Sequence, residues 1–373
     1  MVADAPIAPG AVIGILGGGQ LGRMLALAAA GLGYRVHVYC PEPAGPAAEV
    51  AAAETVAAYD DDRALARFAA AVDVVTLEFE NVPAQTVRWL AARVPVRPGE
   101  LALGTAQDRL AEKQAIARVG AKTAPYRAVD AAADLAPALA GIGRPAILKT
   151  RRLGYDGKGQ APLAGPDQGA EAWTRAVGGA GAHPCLLEAR IDFALEVSVI
   201  VARGLDGAVA AYPAVENRHR DHILDRTIAP APIGPETAAR ATAIATDLAA
   251  ALDLVGVLAV EFFVGPDGGL LVNEMAPRVH NSGHWTIEGC VTSQFEQQIR
   301  AVVGLPLGDP RPRAKAVMQN LIGADVERMP ELAADPAARL HIYGKREVRP
   351  GRKMGHVTRL YPLDAPWPPE LVD

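Results

Sequence analysis

The first eighty residues alternate short β-branched runs with alanine-rich helical stretches: AVIGIL, LGRMLALAAAGLG, RVHVYC, DRALARFAAAV and VDVVTLEF. The periodicity switches each time from about two to about 3.6, which spells βαβαβ and predicts a parallel sheet with helices on both faces. In such sheets ligands bind beyond the carboxyl ends of the strands. The pattern then changes. A helix is expected over 108–119, strands near 145–149, 184–188 and 194–201, a helix over 236–252, and two strands flanking the turn GPDGG. This second block reads as α+β. From Gly304 the run LPLGDPRPR crowds prolines and reads as a linker into a small, partly β module. The expected architecture is therefore α/β and α+β: a doubly wound parallel sheet in 1–107, a central domain in 108–304 and a small C-terminal domain in 305–373.

Composition bounds the partners. The 373 residues carry a formal charge of -5, with 50% hydrophobic and 21% charged residues. A chain of this length builds its own core, and an acidic balance supplies no general basic field, so nucleic acid is not an expected partner. Cys40, Cys185 and Cys290 are odd in number and in no metal-binding spacing, which suits a reducing, cytoplasmic compartment. Residues 5–22 carry no charge, but two prolines and a cluster of glycines interrupt them, and Asp4 stands where a leader would have Lys or Arg. Neither a signal peptide nor a membrane span is expected.

Three groups of residues point to chemistry. Gly17-Gly18-Gly19-Gln20-Leu21-Gly22 contains G-x-G-x-x-G opening a helix, with Glu42 twenty residues on. That spacing suits a dinucleotide, any sugar phosphate at a helix N-terminus, or a ligand-free tight turn, and the residues alone leave all three open. Further on, Glu261 and Glu274 lie on two strands of one hairpin with Asn273 beside the second. Two carboxylates and an amide make a hard-oxygen set suited to Mg²⁺ bridging nucleotide phosphates. Finally, Lys149 ends an apolar strand and is followed by Gly154-Tyr155-Asp156-Gly157-Lys158-Gly159-Gln160, a phosphate-covering loop in composition. Glu188 ends the run CLLE, where a carbonyl or carboxylate meets a base or ribose. Glu196 sits inside ALEVSVIVA, where an unpartnered charge is costly.

Together with these, GILGGGQLGRML, TLEFENVP, DRLAEKQ, GYDGKGQ, the EARI run at 188–191, VENRHRDHILD, VNEMAPRVHNSGHWTIEGC and YGKREVRPGRKMGH follow one another in an order that resembles the ATP-grasp superfamily. Within it the chain resembles the 5-(carboxyamino)imidazole ribonucleotide synthases, ATP-dependent carboxylases of purine biosynthesis. The likeness spans nearly the whole chain and departs before Ala11 and in a Gly/Ala-rich stretch at 178–183, read as a lid loop.

The resemblance implies a central ATP-grasp domain that takes ATP through Arg109, Lys149, Gly154, Tyr155, Asp156, Gly157, Lys158, Gly159, Gln160, Glu188, Ala189, Arg190, Ile191, Glu196, His219, Asn273 and Glu274. It implies Mg²⁺ on Glu261 and Glu274. Aminoimidazole ribonucleotide would meet Gln20, Leu21, Glu78, Asp156, Lys345, Arg352 and Lys353. Catalysis would fall to Tyr155, Lys158, Arg278, His280 and Asn281, where bicarbonate and the γ-phosphate converge. A homodimer is implied as well. The cations Lys345, Arg346, Arg349, Arg352 and Lys353 would fold back over the first domain to serve a 5′-phosphate, making a three-domain junction. Plainer readings stand beside these: His280 and His284 as capping or surface histidines, and Glu78 with Glu80 as a strand terminus. An NAD-dependent oxidoreductase and a nucleotide-binding protein without catalysis are the competing functions.

Overall fold

The computed structural model describes residues 5–143, 145–154, 159–177 and 184–367. The first domain is a parallel sheet in the order Ala53–Val56, Arg35–Cys40, Val12–Leu16, Val74–Leu77. From the central strand Val12–Leu16 the chain winds outward to one side, then returns to add Val74–Leu77 on the other. The crevice where the winding reverses therefore opens between the loops after Leu16 and after Leu77, which carry Gly17–Gly19 and Glu78. Ala53–Val56 is an additional strand that the sequence reading did not anticipate. It lies at the edge with mostly exposed side chains, so its residues show no buried alternation.

The central domain has two antiparallel sheets. A four-stranded sheet runs Tyr126–Val129, Cys185–Ala189, Ala146–Thr150, Gln160–Leu163, with helices Leu135–Ile142 and Gly169–Val177 packed into its core. The larger sheet begins Leu270–Ala276, Gly256–Val264, Leu195–Arg203, Val215–Arg220, Ile223–Ala229. Its strand Ile223–Ala229 pairs directly with Lys315–Ile322, which pairs with Lys353–Tyr361 and through it with Arg339–Ile342. The small C-terminal domain is thus antiparallel and continues the central sheet, joined by 305–314.

Alternation along Leu195–Arg203 sorts its residues. Val197, Val199 and Val201 pack with Leu248 and Ala245 of helix Pro235–Ala251, whereas Ile200 and Ala202 face Phe295 and Ile299 of helix Gln294–Val303. That second face also carries Glu196 and Ser198, by the same period of two. Helix Gln294–Val303 closes the junction with the first domain: the Gln298 amide donates to Thr76 Oγ1 (2.8 Å) and accepts from Val257 N–H (2.6 Å). Among the described residues no helix is long and apolar enough to cross a membrane.

Candidate active site

At the glycine loop the ligand of the helix N-terminus is a side chain of the protein itself. Gly19 caps helix Gln20–Gly31, and its N–H donates to Glu78 Oε1 (2.5 Å) while Gly22 N–H donates to Glu78 Oε2 (2.8 Å). Gly17 has φ +110°, and a Cβ there would stand 2.3 Å from Glu78 Cγ, so only glycine fits. Burial raises the Glu78 carboxyl pKa, against the pull of those two N–H donors and of Arg278 and Lys345. A pyrophosphate in this cradle would have to displace a carboxylate, which removes the support for the dinucleotide reading. Gln20 is half-buried at the first helical position, but the Leu21 side chain joins the core with Met24 and Leu25, so a substrate contact there falls to its backbone.

Across the crevice, helix Arg109–Arg118 buries its charged side. Asp108 caps it, accepting from Leu110 and Ala111 N–H, and Arg109, Glu112 and Lys113 are all buried. Lys113 Nζ reaches Glu188 Oε1 (3.2 Å) and donates to the Asn273 carbonyl (2.8 Å), while Lys149 Nζ donates to Glu188 Oε2 (2.6 Å). Burial would raise the Glu188 pKa, but Lys149 and then Lys113 overcome it and hold the group at about 2. The Glu188 carboxylate is therefore committed to two ammonium groups and is closed to a base or ribose, a correction to the side-chain alternative drawn from CLLE. Lys113 does not stand out in DRLAEKQ, where charged and apolar residues are interleaved along a short helix. The signal was its spacing, with 109, 112, 113 and the apolar Ile116 on one side of the helix.

Glu112 Oε1 accepts from Met275 N–H (2.6 Å), and burial drives its pKa to about 7, with Lys113 opposing and Glu274 adding. A raised carboxyl favours the folded state fully below the unfolded value, and this contribution is lost as pH climbs from about 4.5 through 7. Glu112→Gln keeps the acceptor and removes the titration. The variant is expected to equal the parent near pH 4.5 and to exceed it at pH 8 by up to about 3 kcal/mol. Urea unfolding at both pH values checks this, and an equal difference at the two would overturn it.

The carboxylate pair is set by a β-bulge. Val260 pairs with Met275 and Phe262 with Val272, so Glu261 alone opposes both Asn273 and Glu274. Glu274 Oε2 lies 3.4 Å from Arg109 Nη1, whose Nη2 donates to the Gly154 carbonyl (3.3 Å). Glu261 Oε1 lies 3.1 Å from His280 Nε2. Burial pushes the Glu261 pKa up, but His280, with His219 and Lys353 behind it, brings it below the usual carboxylate range. Glu196 Oε2 meets His219 Nδ1 at 2.7 Å; burial disfavours the charged imidazole, yet Glu196 leaves its pKa raised. Among the described residues no three His, Cys, Asp or Glu side chains form a metal cluster. Two carboxylates and an amide suit a cation that takes its other ligands from phosphate and water, as Mg²⁺ does.

Arg278 forks onto Glu80, with Nη2 donating to Oε1 (2.8 Å) and Nε to Oε2, and Nη1 donates to the Val279 carbonyl (3.1 Å). Burial opposes ionisation of Glu80, but Arg278 lowers its pKa to about 2. Glu80, read from sequence only as a strand terminus, is what aims this guanidinium. Asn281 pairs with Asn320, its Nδ2 donating to Oδ1 (3.0 Å) and its Oδ1 accepting from Nδ2 (2.5 Å), so the amide ties two segments together and keeps one N–H and one lone pair. His284 is wholly buried against Phe295 and His356, and burial with the nearby cations lowers its pKa well below the usual value, so it belongs to the core.

The C-terminal cations divide. Lys345 Nζ donates to the Lys353 carbonyl (2.6 Å) and lies near enough to Glu78 to favour its charge, while Lys353 acts likewise on Glu261. Gly344 abuts Glu49, which pairs with Arg23 (2.9 Å) beside the glycine loop. Arg352 instead donates to the Glu347 carbonyl (3.0 Å) and Arg349 pairs with Glu347, both on an exposed turn. Ala189 and Arg190 N–H bond the carbonyls of Pro125 and Pro145, and Ile191 follows half-buried. Gly159 has φ +68°, its carbonyl accepts from Thr150 N–H (2.9 Å), and Gln160 pairs with Lys149. Tyr155, Asp156, Gly157 and Lys158, and the stretch 178–183, lie outside the described residues.

With this geometry the chain matches three family models: a ribonucleotide synthetase preATP-grasp domain at 11–107, an ATP-grasp domain at 114–295, and a phosphoribosylaminoimidazole carboxylase C-terminal domain at 316–363. It is 52% identical over 354 residues to the N5-carboxyaminoimidazole ribonucleotide synthase of Brucella melitensis, covering 95% of this chain and 97% of that one. Its fold is similar to an N5-carboxyaminoimidazole ribonucleotide synthetase solved with ADP, at 44% identity and a TM-score of 0.91 over 96% of this chain and 94% of that one. The Aspergillus clavatus N5-carboxyaminoimidazole synthase, solved with ADP and 5-aminoimidazole ribonucleotide, gives 31% identity and a TM-score of 0.86 over 95% and 94%.

Proposed function

The chain belongs to the N5-carboxyaminoimidazole ribonucleotide synthase family, and from that premise we propose that it uses ATP and bicarbonate to carboxylate 5-aminoimidazole ribonucleotide to 5-(carboxyamino)imidazole ribonucleotide, releasing ADP and phosphate, in purine biosynthesis. The observation that carries this reading is the meeting of three domains at one crevice: Glu78 and Glu80 from the first, Arg278, His280 and Glu261 from the second, Lys345 and Lys353 from the third.

Bicarbonate is a poor nucleophile and a poor acyl donor, so it is activated first. One of its oxygens attacks the γ-phosphorus, the bond from phosphorus to the ADP oxygen breaks, and carboxyphosphate forms. The substrate amine then attacks the carboxyl carbon, directly or after release as CO₂; the carbon–oxygen bond to phosphate breaks and the amine gives up a proton. Lys149 and Arg109 would neutralise the nucleotide phosphates, and Arg278, aimed by Glu80, would hold the bicarbonate oxygens by charge-assisted hydrogen bonds. Mg²⁺, held by Glu261 and Glu274 with Asn273 adjacent, would supply charge neutralisation for the transferred phosphoryl group. Lys345 and Lys353 would face the ribonucleotide.

A homodimer and a cytoplasmic setting belong to the same reading; three free thiols, of which burial raises Cys185 to about 11 and Cys290 to about 12, support a reducing compartment. ADP release should be measured with ATP, Mg²⁺ and bicarbonate, with and without the ribonucleotide. Release that requires both bicarbonate and ribonucleotide is expected. Release indifferent to the ribonucleotide, or binding without turnover, would overturn the assignment.

A further inference from the structure

A line of buried polar side chains runs behind His280 across three neighbouring strands. Thr227 and Asn217 are cross-strand partners, and Ser198 lies one strand further on. Thr227 Oγ1 donates to Asn217 Oδ1 (3.3 Å), and Asn217 Nδ2 donates to Ser198 Oγ (3.0 Å). Ser198 Oγ and Ser282 Oγ are 2.7 Å apart, and Ser282 Oγ is 2.8 Å from His280 Nδ1. Thr227, Ser198 and Ser282 have no solvent exposure, and Asn217 has 5%. Unpaired hydroxyls and amides on a sheet face otherwise filled by Ile200 and Ala259 would be costly, so the line persists because each member satisfies the next.

Its direction follows from one group that cannot reverse. The backbone N–H of Ser282 also points at His280 Nδ1, at 3.3 Å. A backbone N–H only donates, so Nδ1 is an acceptor and the ring proton resides on Nε2; at 3.3 Å this contact sets the sense but holds the ring weakly, and the Ser282 hydroxyl at 2.8 Å is the donor that secures it. If Asn217 donates to Ser198, the Ser198 hydrogen goes to Ser282 and the Ser282 hydrogen goes to Nδ1. All donors then point the same way. The backbone of His280 is held as well, its N–H donating to Gln294 Oε1 (2.9 Å) and its carbonyl accepting from Gln294 Nε2 (2.6 Å).

We propose that Thr227, Asn217, Ser198 and Ser282 are positioning residues that fix His280 in its neutral Nε2–H form, so that it donates a hydrogen bond at Nε2 toward Glu261 and the reacting oxygens and does not act there as the base that takes the amine proton. Ring orientation set through the opposite nitrogen is a general device for imidazoles at polar sites.

The test is the ¹⁵N spectrum of the imidazoles in magnesium-free protein at pH 8, with His280 assigned by its loss in His280→Gln. The expected parent spectrum shows an unprotonated Nδ1 and a protonated Nε2. Ser282→Ala, which keeps the N–H and deletes the hydroxyl, and Ser198→Ala, which frees the Ser282 hydroxyl to accept, should each admit the Nδ1–H form. Both should lower kcat about tenfold with the ATP KM within twofold, and Ser198→Thr should restore it. A parent spectrum with Nδ1 protonated overturns the proposal even if no variant folds, and so do folded variants that keep the single Nε2–H form. The kcat outcome rests on the proposed carboxylation, whereas the spectrum reads the ring whatever reaction the protein performs.

Discussion

Glu188→Gln is expected to destabilise the protein by about 3–5 kcal/mol and to raise its ATP KM by tenfold or more, because it leaves Lys113 and Lys149 buried against a neutral amide. Removing one partner of a buried ion group costs more than the group contributes, since the survivors keep their desolvation penalty. Lys113 retains the Asn273 carbonyl, but Lys149, whose ammonium has Glu188 as its partner among the described residues, would lose its anchor and with it the proposed aim at the nucleotide phosphates. The pH dependence distinguishes this from general disruption. Glu188 has its pKa depressed to about 2, so its contribution is present above the unfolded value near 4.5 and is lost as pH falls through 2. The parent should therefore lose about 3 kcal/mol over that window, about 2 kcal/mol of it by pH 3, while the variant loses none from this source. Urea midpoints at pH 7 and pH 3 measure both effects. A variant within 1 kcal/mol of the parent at pH 7 would show that the triad does not hold the two sheets in place.

What could be read from the sequence was whatever depends on near neighbours. The β-branched runs and alanine-rich helices of residues 11–79 announced the parallel sheet, and Gly17–Gly19 announced a tight turn into a helix N-terminus with or without an anion. The identity of that anion could not be seen, because it comes from Glu78, which folding brings across from the neighbouring strand. For the same reason LPLGDPRPR disclosed a linker into a small β domain but not the strand that domain would meet. Proline excludes regular structure locally, but nothing local says that Lys315–Ile322 pairs with Ile223–Ala229. The carboxylate hairpin was legible in outline, and its bulge was not, since one unpaired residue leaves the alternation nearly intact. Asn281 differs. Its type suited substrate binding, and only the partner strand reveals that Asn320 takes one bond at each end of the amide. Sequence thus identified the polar residues of the crevice better than their partners, and partners decide which of them remain free to meet a ligand.

Glu274→Gln should lower turnover by at least about a hundredfold at ordinary Mg²⁺ while leaving the fold intact. Its side chain is 45% exposed, so little burial is lost, and its partner Arg109 is 3.4 Å away at the edge of hydrogen-bonding range. Glutamine preserves shape and one oxygen, but it removes the negative charge that a small hard cation requires. The loss should therefore be partly recovered by raising Mg²⁺, with half-saturation displaced upward, whereas a damaged nucleotide pocket would not respond to metal. Glu261→Gln should be the more severe change, because the bulge aims that carboxylate alone at both opposing residues and because His280 Nε2 then faces a neutral amide in place of a carboxylate. Initial rates of ADP formation across a Mg²⁺ series, beside thermal midpoints for the two variants, decide the matter. Near-parental turnover in Glu274→Gln at ordinary Mg²⁺ would remove the pair from the metal site. Equal loss in both variants with no response to Mg²⁺ would mean that the carboxylates act by organising Arg109 and His280 and not by holding a cation.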